Sequence, residues 1–180
     1  MNSAKLHAVT VVASTPADTR RIGVAVGRQL LAGDLVVLNG ELGSGKTTLT
    51  QGIGEGLDVR TPITSPTFVI SRVHPSLVGG PSLVHSDAYR LVGTAVIDDL
   101  DLETIADDCV LVVEWGRGRV EHLSQSWLAI DLVREKGSVE PNGPPVVDAL
   151  DPRTVQISGH GKSWTTERFA AIRSGVECST

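Results

Sequence analysis

The chain has 180 residues, 41% hydrophobic and 21% charged, a balance that supports one compact globular domain with a small appendage and excludes a disordered or fibrous chain. Its formal net charge of −5 argues against a domain that grips nucleic acid alone, because such domains usually carry a basic face. Cys109 in an apolar run and Cys178 in the tail make no disulfide framework, and the absence of a signal-peptide core or a run of spanning length reads as a cytoplasmic protein with no membrane association.

In chain order, the β-branched "LHAVTVVAS" (6–14) predicts a strand. "STPADTRRIGVAVGRQLLAG" predicts a helix: Ser14 or Thr15 can cap it, Pro16 suits its first turn, Ile22, Val26 and Leu30 form one buried stripe, and Gly33 ends it. "DLVVLNG" is a short apolar strand of the kind covered on both faces in an α/β sheet. Lys46 to Gly56 predicts a helix with Leu49, Ile53 and Leu57 on one side. "ITSPTFVISRV" reads as a loop around Pro66 and then a strand, "PSLVGGPS" as a hairpin tip, and "SLVHSDAYRL" as a strand with a polar end. "AVIDDLDLETIAD" predicts a helix, "CVLVVEWG" a second buried strand and "SWLAIDLVRE" a late one. A Pro/Gly-rich loop follows at 136–152, then "RTVQISGHG" as a last strand and "TTERFAAIRSG" as a short terminal helix. This alternation predicts an α/β three-layer domain over 1–135, the loop at 136–152, and a strand and helix at 153–180 packed on or near the same domain.

Between the apolar strand and the second helix lies Gly40-Glu41-Leu42-Gly43-Ser44-Gly45-Lys46-Thr47, which satisfies G-x-x-x-x-G-K-[ST]. Gly43 and Gly45 let backbone N–H groups converge on phosphate oxygens, and the helix that follows turns its positive end to the same anion. Lys46 can reach the β- and γ-phosphates, and the Thr47 hydroxyl can hold Mg²⁺. A second Gly-Lys-Ser, in "GHGKSW" (159–164), lacks both the earlier glycine and a leading apolar strand, and reads as a surface turn.

Such a loop needs an acid near the metal and a group to orient water or an acceptor. Glu114 closes "CVLVVE" in the Walker B pattern, and Asp87 ends "SLVHSD". Strand ends gather around the ligand crevice in open α/β sheets, so both acids are candidates. Thr64, Ser65, Pro66 and Thr67 stand where a first switch segment lies, although alone they read as an ordinary loop. Cys109 reads as core, His74 and His85 have no metal-ligand spacing, Trp115 either walls the nucleotide or packs, and Arg90 faces either phosphate or a nearby acid.

The chain has no N-K-x-D guanine reader and no D-x-x-G switch, which favours ATP over GTP. A P-loop small-metabolite kinase remains an alternative; "EWGRGRVEHL", with Arg117 and Arg119, is the nearest thing to its lid. A nucleotide-gated binding module is a third reading. The ordered set "NGELGSGKTTLTQGIGEGL", "ITSPTF", "HSDAYRL" and "VEW" resembles the TsaE (YjeE) family over about Ser14 to Val133. That resemblance implies a P-loop NTPase domain with a mixed, largely parallel sheet, ATP and Mg²⁺ as cofactors, and TsaB and TsaD as partners, with tRNA reached through the complex. It implies an ATPase whose hydrolysis resets the threonylcarbamoyladenosine-modifying complex between turnovers. By motif, Glu41, Leu42, Gly43, Ser44, Gly45, Lys46, Thr47 and Thr48 bind nucleotide and Thr47 and Glu114 hold the metal. Lys46, Asp87 and Glu114 are then catalytic, with the choice between Asp87 and Glu114 for the attacking water open, and Thr64 to Thr67 form the switch-like loop. "IDDL" after Y-R-L and Gly116 after E-W depart from the family pattern, and nothing carries over onto 136–180.

Overall fold

The computed structural model describes residues 7–66, 71–89, 108–134 and 152–178. Seven strands form one sheet: β1 (His7–Ala13), β2 (Leu35–Asn39), β3 (Ser71–His74), β4 (Ser82–Asp87), β5 (Cys109–Glu114), β6 (Trp127–Arg134) and β7 (Arg153–His160). The helices are α1 (Pro16–Gly27), α2 (Lys46–Gly56) and α3 (Thr166–Glu177), with a 3₁₀ turn at Glu121–Leu123. The helix expected in "AVIDDLDLETIAD" and residues 136–151 of the Pro/Gly-rich segment lie outside the described residues.

The strand order is β1-β7-β6-β2-β5-β4-β3. β6, β2, β5 and β4 run parallel at the centre, while β1, β7 and β3 pair antiparallel at the flanks. The sheet is therefore mixed, with the glycine-loop strand β2 buried in the middle. Side chains alternate across β2: Val36 and Leu38 join the core cluster that includes α1, α2 and α3, whereas Leu35 and Val37 pack on the opposite face with Val84, Leu111, Val113 and Val120.

α1 begins with a capping box: Thr15 accepts from the Asp18 N–H, and the Asp18 carboxylate accepts from the Thr15 N–H. The helix ends at Gly27 rather than running on to Gly33. Its last turn tightens into i→i+3 bonds, Gln29 N–H to Val26 and Leu30 N–H to Gly27, so Leu30 stays buried beyond the helix proper. α1 meets α2 at backbone contact. A Cβ on Gly23 would stand 2.3 Å from the Leu49 carbonyl oxygen, and one on Gly52 2.1 Å from that of Arg20. This close pairing lays α2 along α1, with the amino end of α2 under the glycine loop.

β7 lies between β1 and β6, and α3 returns over the α1 face with Phe169, Ile172 and Val176 in the main core. Arg168 ties α3 to the α1–β2 connection. It bonds the Gln29 carbonyl at 3.1 Å, pairs with Asp34, and lies 4.1 Å over the Trp164 ring. Gly161 to Ser163 form the expected surface turn at the end of β7, with Lys162 exposed.

Candidate functional site

The glycine loop leaves β2 with three left-handed backbone positions, Gly40 (φ 149°), Gly43 (φ 78°) and Gly45 (φ 102°). Gly43 has open space around a would-be Cβ, so it is needed for its φ; at Gly40 a Cβ would also strike the Ser44 Oγ at 2.4 Å and the Leu132 carbonyl at 2.6 Å. Leu42 is 90% exposed at the loop tip, whereas Ser44 and Lys46 are buried. Gly45 caps α2 without any side-chain hydrogen bond, leaving the first N–H groups of the helix available to an anion.

Lys46 folds back over this loop. Its Nζ donates to the Gly40 carbonyl at 2.8 Å and the Glu41 carbonyl at 3.1 Å, and lies 4.0 Å over the Trp115 ring. Burial pushes its pKa below the usual lysine range, opposed by the nearby Glu114 and Asp87 carboxylates. Trp115 holds a left-handed backbone (φ 60°) directly after β5, and its ring meets that of Tyr89 with centroids 5.2 Å apart. It walls the lysine.

The two acids stand side by side because β4 and β5 are parallel and in register, with Asp87 opposite Glu114 and Glu114 opposite Leu38 of β2. The Thr47 hydroxyl donates to Glu114 Oε1 at 3.0 Å, joining the start of α2 to the end of β5. Both carboxylates are buried, and Asp87 also accepts from the Tyr89 N–H at 2.8 Å. The Thr47 hydroxyl and the Glu114 carboxylate, brought together at the start of α2, are the hard oxygen donors that Mg²⁺ takes. These residues could hold that ion. A phosphate chain fits the cradle on two grounds: Ser44 Oγ is buried with no partner, and Lys46 spends its ammonium protons on carbonyl oxygens.

Sequence reasoning missed two residues here. His85, fully buried, places Nε2 2.9 Å from Glu114 Oε1. The H-x-D spacing was the available signal, since residues two apart on a strand share a face. Arg153, the first residue of β7, donates from Nε to the Ser44 carbonyl at 3.1 Å, a contact across 109 positions that no local pattern announces. The segment read as switch-like from the sequence is anchored at its start: Gln51 of α2 donates to the Ile63 carbonyl at 3.0 Å and Arg72 of β3 to Thr64 Oγ1 at 3.1 Å. Thr64 and Ser65 are exposed and Pro66 is buried, while Thr67 lies outside the described residues, as does Arg90. Arg117 pairs with Asp131, and Arg119 donates to the Ala88 carbonyl at 2.9 Å. Cys109 and Cys178 form no disulfide, and burial, with Asp108 nearby, pushes the Cys109 thiol up. No helix among the described residues is long and apolar enough to cross a membrane.

A buried central strand opening through a glycine loop into a helix, beside strand-end acids of the neighbouring parallel strands, defines the P-loop NTPase fold. The family profile of threonylcarbamoyl adenosine biosynthesis protein TsaE matches residues 13–140. A Streptomyces coelicolor protein named tRNA threonylcarbamoyladenosine biosynthesis protein TsaE is 51% identical over 154 residues, 85% of this chain and 98% of the relative. A Mycobacterium tuberculosis protein of the same name is 50% identical over 65% of this chain and 74% of its own length. The crystal structure of Bacillus subtilis YdiB superposes with a TM-score of 0.67 at 26% identity, covering 98% of both chains. The chain belongs to the TsaE family.

Proposed function

We propose that this chain is the ATP-binding and ATP-hydrolysing subunit of a tRNA threonylcarbamoyladenosine-modifying complex, working with TsaB and TsaD. Its hydrolysis resets that complex between turnovers rather than performing the transfer. The observation that carries the reading is the Thr47–Glu114 hydrogen bond at 3.0 Å, which joins the phosphate loop to a strand-end acid. Loop N–H groups and the start of α2 bind the phosphates. Lys46 leaves the Gly40 and Glu41 carbonyls for the β- and γ-phosphate oxygens, gaining charge-assisted bonds in place of neutral ones. Thr47 and Glu114 hold Mg²⁺, which when bound neutralises phosphate charge. Asp87 or Glu114 orients water for in-line attack, and Thr64 to Thr67 report the γ-phosphate. The net charge of −5 leaves most of the tRNA to the partners.

Reconstituted tRNA modification with and without this chain, over single and multiple turnovers, tests the reading. Wild-type protein is expected to hydrolyse ATP slowly alone and faster with TsaB and TsaD. Lys46→Ala is expected to lose nucleotide binding and to stop modification after one turnover. Normal modified-tRNA levels in a strain carrying only Lys46→Ala would refute the proposal, and transfer of phosphate to a small metabolite instead of water would replace it with the kinase.

A further inference from the structure

Glu114 Oε1 takes two hydrogen bonds, from the Thr47 hydroxyl at 3.0 Å and from the His85 ring at 2.9 Å. A carboxylate only accepts, so His85 Nε2 is the protonated ring nitrogen in this pair. Nδ1 is buried with no hydrogen-bond partner. His85 sits on β4 between Arg72 of β3 and Val112 of β5 and is fully enclosed. A leucine there would fill comparable space without an unpaired polar atom. The imidazole therefore costs the core something, and what it gives in return is the bond to Glu114.

We propose that His85 is a positioning residue for the metal and water chemistry of this site, an inference that rests on the ATPase reading above. With Oε1 held from one side by His85 and from the other by Thr47, the carboxylate is fixed in rotation and Oε2 is left for the ligand. Were Thr47 to turn its oxygen to a metal ion, the His85 bond to Oε1 would remain. Its backbone cannot drift, because β4 and β5 are paired in register through this stretch. Asp87 lies two residues along the same face, so one strand presents both the brace and the second acid.

The test uses the full chain with three variants, fluorescent ADP and Mg²⁺ titration, and hydrolysis in the presence of TsaB and TsaD. His85→Leu removes the donor. His85→Gln returns an N–H at about the reach of Nε2, and His85→Asn returns one that falls short. His85→Leu is expected to bind ADP without Mg²⁺ within about two-fold of wild type. It should need roughly 10–100-fold more Mg²⁺ for the tight-binding state and for half-maximal hydrolysis, the usual effect of losing the outer partner of a metal ligand. His85→Gln should recover most of that loss. A Mg²⁺ requirement unchanged in His85→Leu overturns the assignment, as does His85→Gln behaving like His85→Leu while both fold. If His85→Leu does not fold, the amide pair decides: a higher Mg²⁺ requirement in Asn than in Gln supports the assignment, and equal values overturn it. If wild type binds nucleotide but never hydrolyses it, the proposed function fails while Mg²⁺-dependent ADP affinity still decides the role of His85. Wild type that binds no nucleotide overturns both.

Discussion

Glu114 is 3% exposed, and a buried carboxylate is tolerated only when its oxygens are bonded or paired. Thr47, His85 and the nearby Lys46 meet that need, so the side chain is held at a shape and a charge together. Glu114→Gln separates the two: the amide oxygen still accepts from Thr47, but the negative charge is gone. This variant should bind ATP within a few-fold of wild type and lose at least about 100-fold in hydrolysis, as expected when a group acting on the reacting water or its metal is disabled. Multiple-turnover modification should fail with it. Full modification by a Glu114→Gln protein that binds but cannot hydrolyse ATP would mean that binding alone is the output. The contrast between Glu114 and His85 also shows what single residues reveal in a sequence. An acid after an apolar run announces itself, whereas a histidine inside a strand looks like core until its partner across the sheet is known.

At the scale of elements, the α1–α2 pair sets where the phosphate loop sits. Ala for Gly inside a helix ordinarily gains about 1 kcal/mol. At Gly52 the new methyl would stand 2.1 Å from the Arg20 carbonyl oxygen, a backbone atom that cannot rotate aside. Overpacking costs about 1–3 kcal/mol, and a clash with backbone belongs in the upper part of that range, so after the propensity gain Gly52→Ala should lower stability by about 1–2 kcal/mol in urea unfolding. An unchanged or higher midpoint would mean that the helices part freely. The hairpin β3–β4 carries a different sensitivity. His74 at the end of β3 has Nδ1 3.2 Å from the Arg60 carbonyl, while Nε2 is buried without a partner. Burial holds its pKa below 6.5, a tendency reinforced by His85 and Arg72 and opposed by the Arg60 carbonyl. Between that lowered value and 6.5 the unfolded chain binds more protons than the folded one, so stability rises with pH there and falls on acidification. His74→Asn keeps a donor near the Nδ1 position and does not titrate. Its unfolding free energy should fall less than that of wild type as pH drops below 6.5, and parallel profiles would remove His74 as the source. The elements themselves were plain in the sequence because each carries its own period; the glycine contacts and the Arg60 bond were not, because they belong to pairs of elements.

For the whole molecule, the decisive fact is that residues 152–178 complete the sheet. Local pattern predicted the strand at "RTVQISGHG" but could not place it, since strand order depends on pairings between distant segments. β7 enters between β1 and β6, so among the described residues β1 reaches the sheet only through it, and Arg153 at its start bonds the Ser44 carbonyl of the phosphate loop. α3 then covers the same face as α1, with Phe169 1% exposed and stacked on His7 at a centroid distance of 5.5 Å. These two parts of the segment do separable work. The helix supplies burial at the β1 edge, and the strand supplies the contact to the loop. Phe169→Ala should cost about 3–5 kcal/mol, the usual range for emptying a buried aromatic site, out of a total that for a domain is about 5–15 kcal/mol. The variant should show a clearly lower urea midpoint than wild type. Below that midpoint its ADP affinity should equal that of wild type, because Phe169 packs at the His7–Gly159 end of the β1–β7 pair and Arg153, which meets the loop, is at the other end. Arg153→Ala should show the reverse: little change in the urea midpoint, since Arg153 is only half-buried, and several-fold weaker ADP binding as the Ser44 carbonyl loses its donor. If both variants lose affinity in proportion to stability, the segment acts as one scaffold and the division between helix and strand is wrong.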